Sequence, residues 1–213
     1  MTKKQRTLLA VEALKKEYPQ AICSLTYQNP LQLLIATRLS AQCTDARVNM
    51  VTPGLFARFP TLQAFYNGTV EEIEELIHSC GLYKTKARDI FALCKMLQDE
   101  LNGEVPNTIE QLTRLPGVGR KTANLIVGDI YHKPAVVTDT HCIRITGRLG
   151  LTESKVPLKV ENDLRVLLPE NESNDFCHRL VLHGRAVCVA RSPKCTQCCM
   201  KDFCKYARQN KIE

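Results

Sequence analysis

The densest chemistry in this chain is four cysteines within seventeen residues: Cys188, Cys195, Cys198 and Cys204. Thiolates at this spacing can surround one metal centre. Both an iron–sulfur cluster and a structural zinc suit four sulfurs, and spacing alone does not choose between them. Cys199 adjoins one ligand and could in principle replace it. Neighbouring side chains point in different directions, so only one of Cys198 and Cys199 is expected to bind. The other seven of the eleven cysteines, Cys23, Cys43, Cys80, Cys94, Cys142, Cys177 and Cys199, stand singly. They are read as small buried hydrophobes. The odd total and this scatter speak against a disulfide framework and for a reducing compartment.

A second concentration lies at Leu115-Pro-Gly-Val-Gly-Arg-Lys121. Pro116 and Gly117 end one helical pattern, and another begins near Arg120. Two glycine turns there expose backbone N–H groups at a helix N-terminus. Gly117, Val118 and Gly119 thus form a candidate phosphate cradle, with tight helix packing as the alternative. Lys121 falls in the first turn of the second helix. The positive helix end disfavours a nearby ammonium, which favours the neutral amine a Schiff-base nucleophile needs. The competing role is a solvated phosphate contact. Asp139, eighteen residues on, reads as an N-cap for the helix through Ile143, Ile145 and Leu149. The same cap would fix its carboxylate for chemistry.

The elements that position these groups are helical. Apolar residues recur at helical spacing in Leu8, Val11 and Leu14, and in Leu31, Leu34, Ile35 and Leu39. Thr69–Glu72 and Thr108–Gln111 read as capping boxes. Lys84 to Leu101 is a long amphipathic stretch closed at Asn102-Gly103. Ala135-Val-Val-Thr138 is the one short β-branched run, and Tyr131–Pro134 marks a weak break. The reading is an all-α protein.

Net charge is +7 over 213 residues, which suits a polyanionic partner. No apolar run approaches the roughly 20 residues that span a bilayer. The N-terminus lacks the apolar core of a secretory signal, so an intracellular location is expected. Between the first two clustered cysteines lies a loop presenting Arg191 and Lys194, a candidate phosphate contact or a solvated surface segment.

These pieces together resemble the endonuclease III family of helix-hairpin-helix DNA glycosylases. The matching strings are LSAQCTD at 39–45, GLYKTKA at 81–87, LPGVGRKTAN at 115–124, VTDTH at 137–141 and the four-cysteine spacing. The resemblance implies a bifunctional DNA glycosylase and AP lyase of base excision repair. It favours a [4Fe–4S] cluster over zinc, and oxidised pyrimidines as substrates. It also implies a two-domain fold with a deep cleft: a six-helix barrel over residues 22–133 holding the hairpin, and a cluster domain from residues 1–21 and 134–213. Lys121 and Asp139 would face each other at the cleft mouth. Gln42 would fill the gap left by a flipped nucleotide, and Leu82 would wedge into the opposite stack. Asp45 and His141 would line the cleft. The partner would be damaged double-stranded DNA, met by a monomer without membrane attachment. The competing functions are a monofunctional adenine or mismatch glycosylase, against which Lys121 argues, and a non-catalytic DNA-binding iron–sulfur protein.

Overall fold

The computed structural model describes residues 1–211. The chain divides into two compact units, one running from Cys23 to Tyr131 and the other joining Met1–Ile22 to the chain from His132 onward. Helix α1 (Lys3–Glu17) opens the chain. The 23–131 unit carries α2 (Pro30–Leu39), α3 (Asp45–Arg58), α4 (Leu62–Asn67), α5 (Val70–Ile77), α6 (Tyr83–Glu100), α7 (Ile109–Leu112) and α8 (Arg120–Asp129). Helices α9 (Thr140–Leu149), α10 (Pro157–Leu167), α11 (Ser173–Ala186) and α12 (Lys205–Gln209) follow. There is no strand among the described residues, as the helical periodicity predicts. The β-branched run at 135–138 is a buried connection outside any helix.

Helix α2 is the centre of the 23–131 unit. Asn29 caps it by accepting from the Gln32 N–H, and Pro30 supplies a preset first-turn φ. Leu33, Leu34, Ile35, Ala36 and Leu39 are fully buried, so the helix is enclosed nearly all round. It packs against α3, α6 and α8. Helix α5 starts at the expected capping box: the Glu72 N–H donates to Thr69 Oγ1 at 3.2 Å, and the Thr69 N–H donates back to Glu72 Oε2 at 2.9 Å. The second expected box is incomplete. Thr108 accepts from the Gln111 N–H, but the Gln111 amide oxygen takes the Thr108 hydroxyl at 3.1 Å rather than a backbone donor. Helix α7 has only four residues, and half a cap suffices for one turn. Helix α6 ends as expected: Asn102 and Gly103 are both left-handed, and the Gly103 N–H donates to the Leu97 carbonyl.

In the other unit α1 packs on α10 and α11, while α9 packs on α11 and α12. Buried Arg179 is held by Glu172 at 2.9 Å and Asp175 at 3.0 Å, so its charge is compensated. Among the described residues no helix is long and apolar enough to cross a membrane.

Candidate functional site

The glycine hairpin joins α7 to α8. Gly117 is left-handed at φ +71°. A Cβ there would sit 2.6 Å from Arg38 Nε and 2.9 Å from the Asp89 Cβ, so only glycine fits. Arg38 and Asp89 are themselves paired, Nε donating to Oδ2 at 2.8 Å. Neither was expected from sequence, because both lie far from the hairpin along the chain. Val118 turns inward: its side chain is buried, and its N–H donates to the Leu115 carbonyl at 3.1 Å. Gly119 differs from both. Its φ of −90° and ψ of 172° suit any residue, and a Cβ would meet nothing within 4 Å. It is the N-cap of α8 and brings no side chain to the first-turn amides, which lack intrahelical acceptors. Lys121 stands exposed in that first turn.

In the same unit, two other turns carry strained backbone. Gln42 and Leu82 are non-glycine residues at φ +53° and +59°, and both are exposed. A left-handed leucine costs about 1–2 kcal/mol, and such strain collects at functional positions. The two turns touch, since a Cβ on Gly81 would lie 3.7 Å from the Gln42 carbonyl. Beneath them Lys86 is completely buried and donates from Nζ to the Leu39 carbonyl at 2.7 Å, closing the open C-terminal end of α2. Burial pushes its ammonium pKa down. Sequence reasoning missed Lys86, although a signal existed: it shares a helical stripe with Ile90, Leu93 and Leu97. Asp45, half-buried, opens α3 behind the Thr44 cap.

In the other unit Asp139 caps α9, its Oδ1 accepting from the Cys142 N–H at 2.7 Å. His141, the second residue of α9, has Nδ1 3.0 Å from the Arg144 guanidinium.

Cys188, Cys195, Cys198 and Cys204 line one cavity, together with Arg148, Pro193 and Tyr206. Cys199 is exposed and absent from that lining. The backbone at Cys198 is extended, so its neighbour points the other way. This corrects the reading of the single cysteines as uniformly buried: Cys80, Cys94, Cys142 and Cys177 are, whereas Cys23 and Cys43 are half-buried. Burial, with repulsion among the sulfurs, holds the Cys195 thiol above its ordinary range, and burial does the same at Cys204. The Cys198 thiol is pushed up to about 12 by its hydrogen bond with Cys199 and by burial. Four sulfurs lining one cavity fit a cationic centre that takes them as thiolates. Among the described residues no three His, Cys, Asp or Glu side chains converge as a single ion requires. Lining one cavity together, the four sulfurs suit an iron–sulfur cluster.

Two supports of this cavity were not expected. Arg148 on α9 donates to Cys188 Sγ at 3.2 Å and to the carbonyls of Val189 and Ala190 at 2.8 and 2.9 Å, fixing the loop that exposes Arg191 and Lys194. His183 sits fully buried between Cys198 Sγ, 3.3 Å from Nε2, and the Tyr18 hydroxyl, 3.2 Å from Nδ1. Burial pushes the Tyr18 pKa up to about 12. A thiolate at Cys198 would accept from Nε2–H, leaving Nδ1 to accept from the Tyr18 hydroxyl.

Residues 35–170 match the HhH-GPD superfamily of base excision DNA repair proteins, and residues 188–204 match the iron–sulfur binding domain of endonuclease III. Fold and site thus define a helical base excision repair protein with an iron–sulfur domain. Among named relatives, endonuclease III of Synechocystis is 49% identical over 97% of this chain and 95% of its own length. Endonuclease III of Escherichia coli is 37% identical over 95% and 96%. A solved trapped endonuclease III–DNA covalent intermediate is 42% identical, with a TM-score of 0.92, covering 99% of this chain and 100% of the other. A thermostable thymine-DNA glycosylase at 20% identity and TM-score 0.88 shares the fold. The chain belongs to the endonuclease III family. It is a bifunctional DNA glycosylase and AP lyase of base excision repair, with a [4Fe–4S] cluster.

Proposed function

We propose that Lys121 is the nucleophile and Asp139 its acid–base partner in removing oxidised pyrimidines from damaged duplex DNA. The Lys121 amine attacks C1′ of the sugar and displaces the base. Asp139 accepts a proton and stabilises the positive charge developing on the sugar. The resulting Schiff base acidifies the C2′ proton, and β-elimination breaks the strand on the 3′ side. The observation that carries this reading is the Lys121 amine, exposed in the first turn of α8 two residues after Gly119, an N-cap without a side chain. Sodium borohydride added during reaction with abasic-site duplex should trap a protein–DNA adduct. Strand cleavage without any adduct would remove the Schiff base from the account.

Gly117 and Gly119 present main-chain donors to a DNA phosphate, and Val118 holds the turn from within. The two glycines separate fold from binding. Gly117→Ala forces a Cβ into Arg38 and Asp89 at positive φ and should lower stability by more than about 1 kcal/mol. Gly119→Ala meets no atom within 4 Å and should leave the melting temperature unchanged, while weakening duplex affinity roughly tenfold by displacing a phosphate. Equal affinity for Gly119→Ala and wild type would reduce the hairpin to packing.

Gln42 faces the orphan base and Leu82 wedges the opposite stack; their strained, touching turns support this. Asp45 and His141 border the substrate. Arg191 and Lys194 meet phosphates from the Arg148-held loop. The enzyme acts as an intracellular monomer free of membranes, where reducing conditions preserve its thiols.

Cys188, Cys195, Cys198 and Cys204 would hold the cluster, which supplies structural clamping when bound. Cys198→Ser should lose most bound iron and lower the melting temperature by about 2–4 °C for each kcal/mol of clamping lost. Cys199→Ser should keep both, as assayed by iron content and calorimetry. The reverse pattern would exchange the two residues' roles.

A further inference from the structure

Two thiols outside the cluster lie where the strained turns meet. Cys43 directly follows Gln42, and Cys80 stands two residues before Leu82. The Cys43 and Cys80 thiols are close enough to interact with each other. The backbones beside them touch as well, at Gly81 and the Gln42 carbonyl. Cys43 is half-buried and reachable from solvent, whereas Cys80 is buried. Lys86, completely buried, interacts electrostatically with both sulfurs. These are the features of a resolving pair: an accessible thiol with a second, buried thiol beside it.

We propose that Cys43 and Cys80 form a reversible disulfide under hydroperoxide, and that this cross-link slows base excision by locking the Gln42 and Leu82 turns together. The second half rests on the reading of those turns as the elements inserted into DNA. The peroxide transfers one oxygen to Cys43 Sγ, its O–O bond breaks, and an alcohol or water leaves. Cys80 Sγ then attacks the Cys43 sulfenic sulfur, the S–O bond breaks, and hydroxide leaves as water with the Cys80 proton. Two thiols lose two electrons in all, and the peroxide gains them.

Burial and Cys43 push the Cys80 thiol up to about 11, while Lys86 pulls in the opposite direction. Accessibility sets the order: half-buried Cys43 meets peroxide first, and buried Cys80 is the neighbour that attacks it afterwards. A disulfide holds its two sulfurs about 2.05 Å apart, closer than any non-bonded contact, so oxidation draws the two turns together. Displacements on the order of 1 Å around a reacting centre can cost about a hundredfold in rate.

The test uses the reduced holoprotein and stoichiometric hydrogen peroxide, with cluster absorbance followed throughout. After alkylation and tryptic digestion, mass spectrometry should find peptide 39–47 linked to peptide 59–84, and dithiothreitol should release them. Single-turnover excision from a lesion duplex should slow roughly tenfold or more and recover with the thiol. Cys43→Ser should match the reduced wild type and ignore peroxide, and Cys80→Ala should do the same. Absence of the linked peptide overturns the proposal. So does a linked peptide with unchanged excision, or a Cys43→Ser protein as sensitive as wild type. The catalytic reading is scored separately, on the reduced protein before any oxidant: a failure there appears as no excision and no borohydride adduct. The linked peptide and its effect on duplex affinity then still decide the cross-link.

Discussion

Lys121→Ala should form no borohydride-trapped adduct with abasic-site DNA, and its single-turnover excision rate should fall by roughly 10⁴ to 10⁶. That range is the loss seen when an enzyme's nucleophile is removed. The fold should not suffer. Lys121 is exposed in the first turn of α8, and the core of that helix lies on Ala123, Ile126 and Val127. Exposed substitutions of this kind stay within about 0.5 kcal/mol. The competing role, a lysine that only neutralises a phosphate, makes a different prediction. It would weaken duplex affinity, reduce the salt slope by about one, and leave turnover at saturating enzyme unchanged. Measuring rate and affinity on the same protein therefore decides the matter. A variant that turns over normally but binds weakly would transfer the chemistry to another group.

Asp139→Asn probes the other half of the proposed reaction and separates charge from capping. Asp139 Oδ1 accepts the Cys142 N–H at 2.7 Å, and asparagine caps helices about as well as aspartate. The variant should therefore melt with wild type. Its excision rate should fall by about 10² to 10⁴, the usual contribution of a positioned acid–base group. Asp139→Ala should show the same rate loss and, in addition, lose about 1 kcal/mol of stability with the cap. Lys121 remains in both variants, so adducts with abasic DNA should still form, though more slowly. Wild-type excision by Asp139→Asn would make Asp139 a cap alone.

Both residues were legible because their signals are short. Asp139 lies three residues before the N–H it caps, and Lys121 follows a glycine pair that interrupts helical periodicity. The same holds for the Thr69–Glu72 box and for the grouping of four cysteines within seventeen residues. The failures have a matching cause. Thr108 carries the right residue three places on, yet one turn of helix left Gln111 free to bond the hydroxyl instead.

Sequence alone established the helical class, the cap positions, the hairpin and the four-sulfur set, because each depends on neighbours within about one helical turn. Tertiary structure alone decided which of Cys198 and Cys199 faces the cavity, and why Gly117 must be glycine: Arg38 arrives beneath it from a distant helix. It alone placed Lys86 in the core and brought Cys43 against Cys80. Such contacts join residues 37 or more positions apart, as with Cys43 and Cys80. They follow from how helices pack and from backbone handedness at Gln42 and Leu82, neither of which any local pattern of residue types encodes.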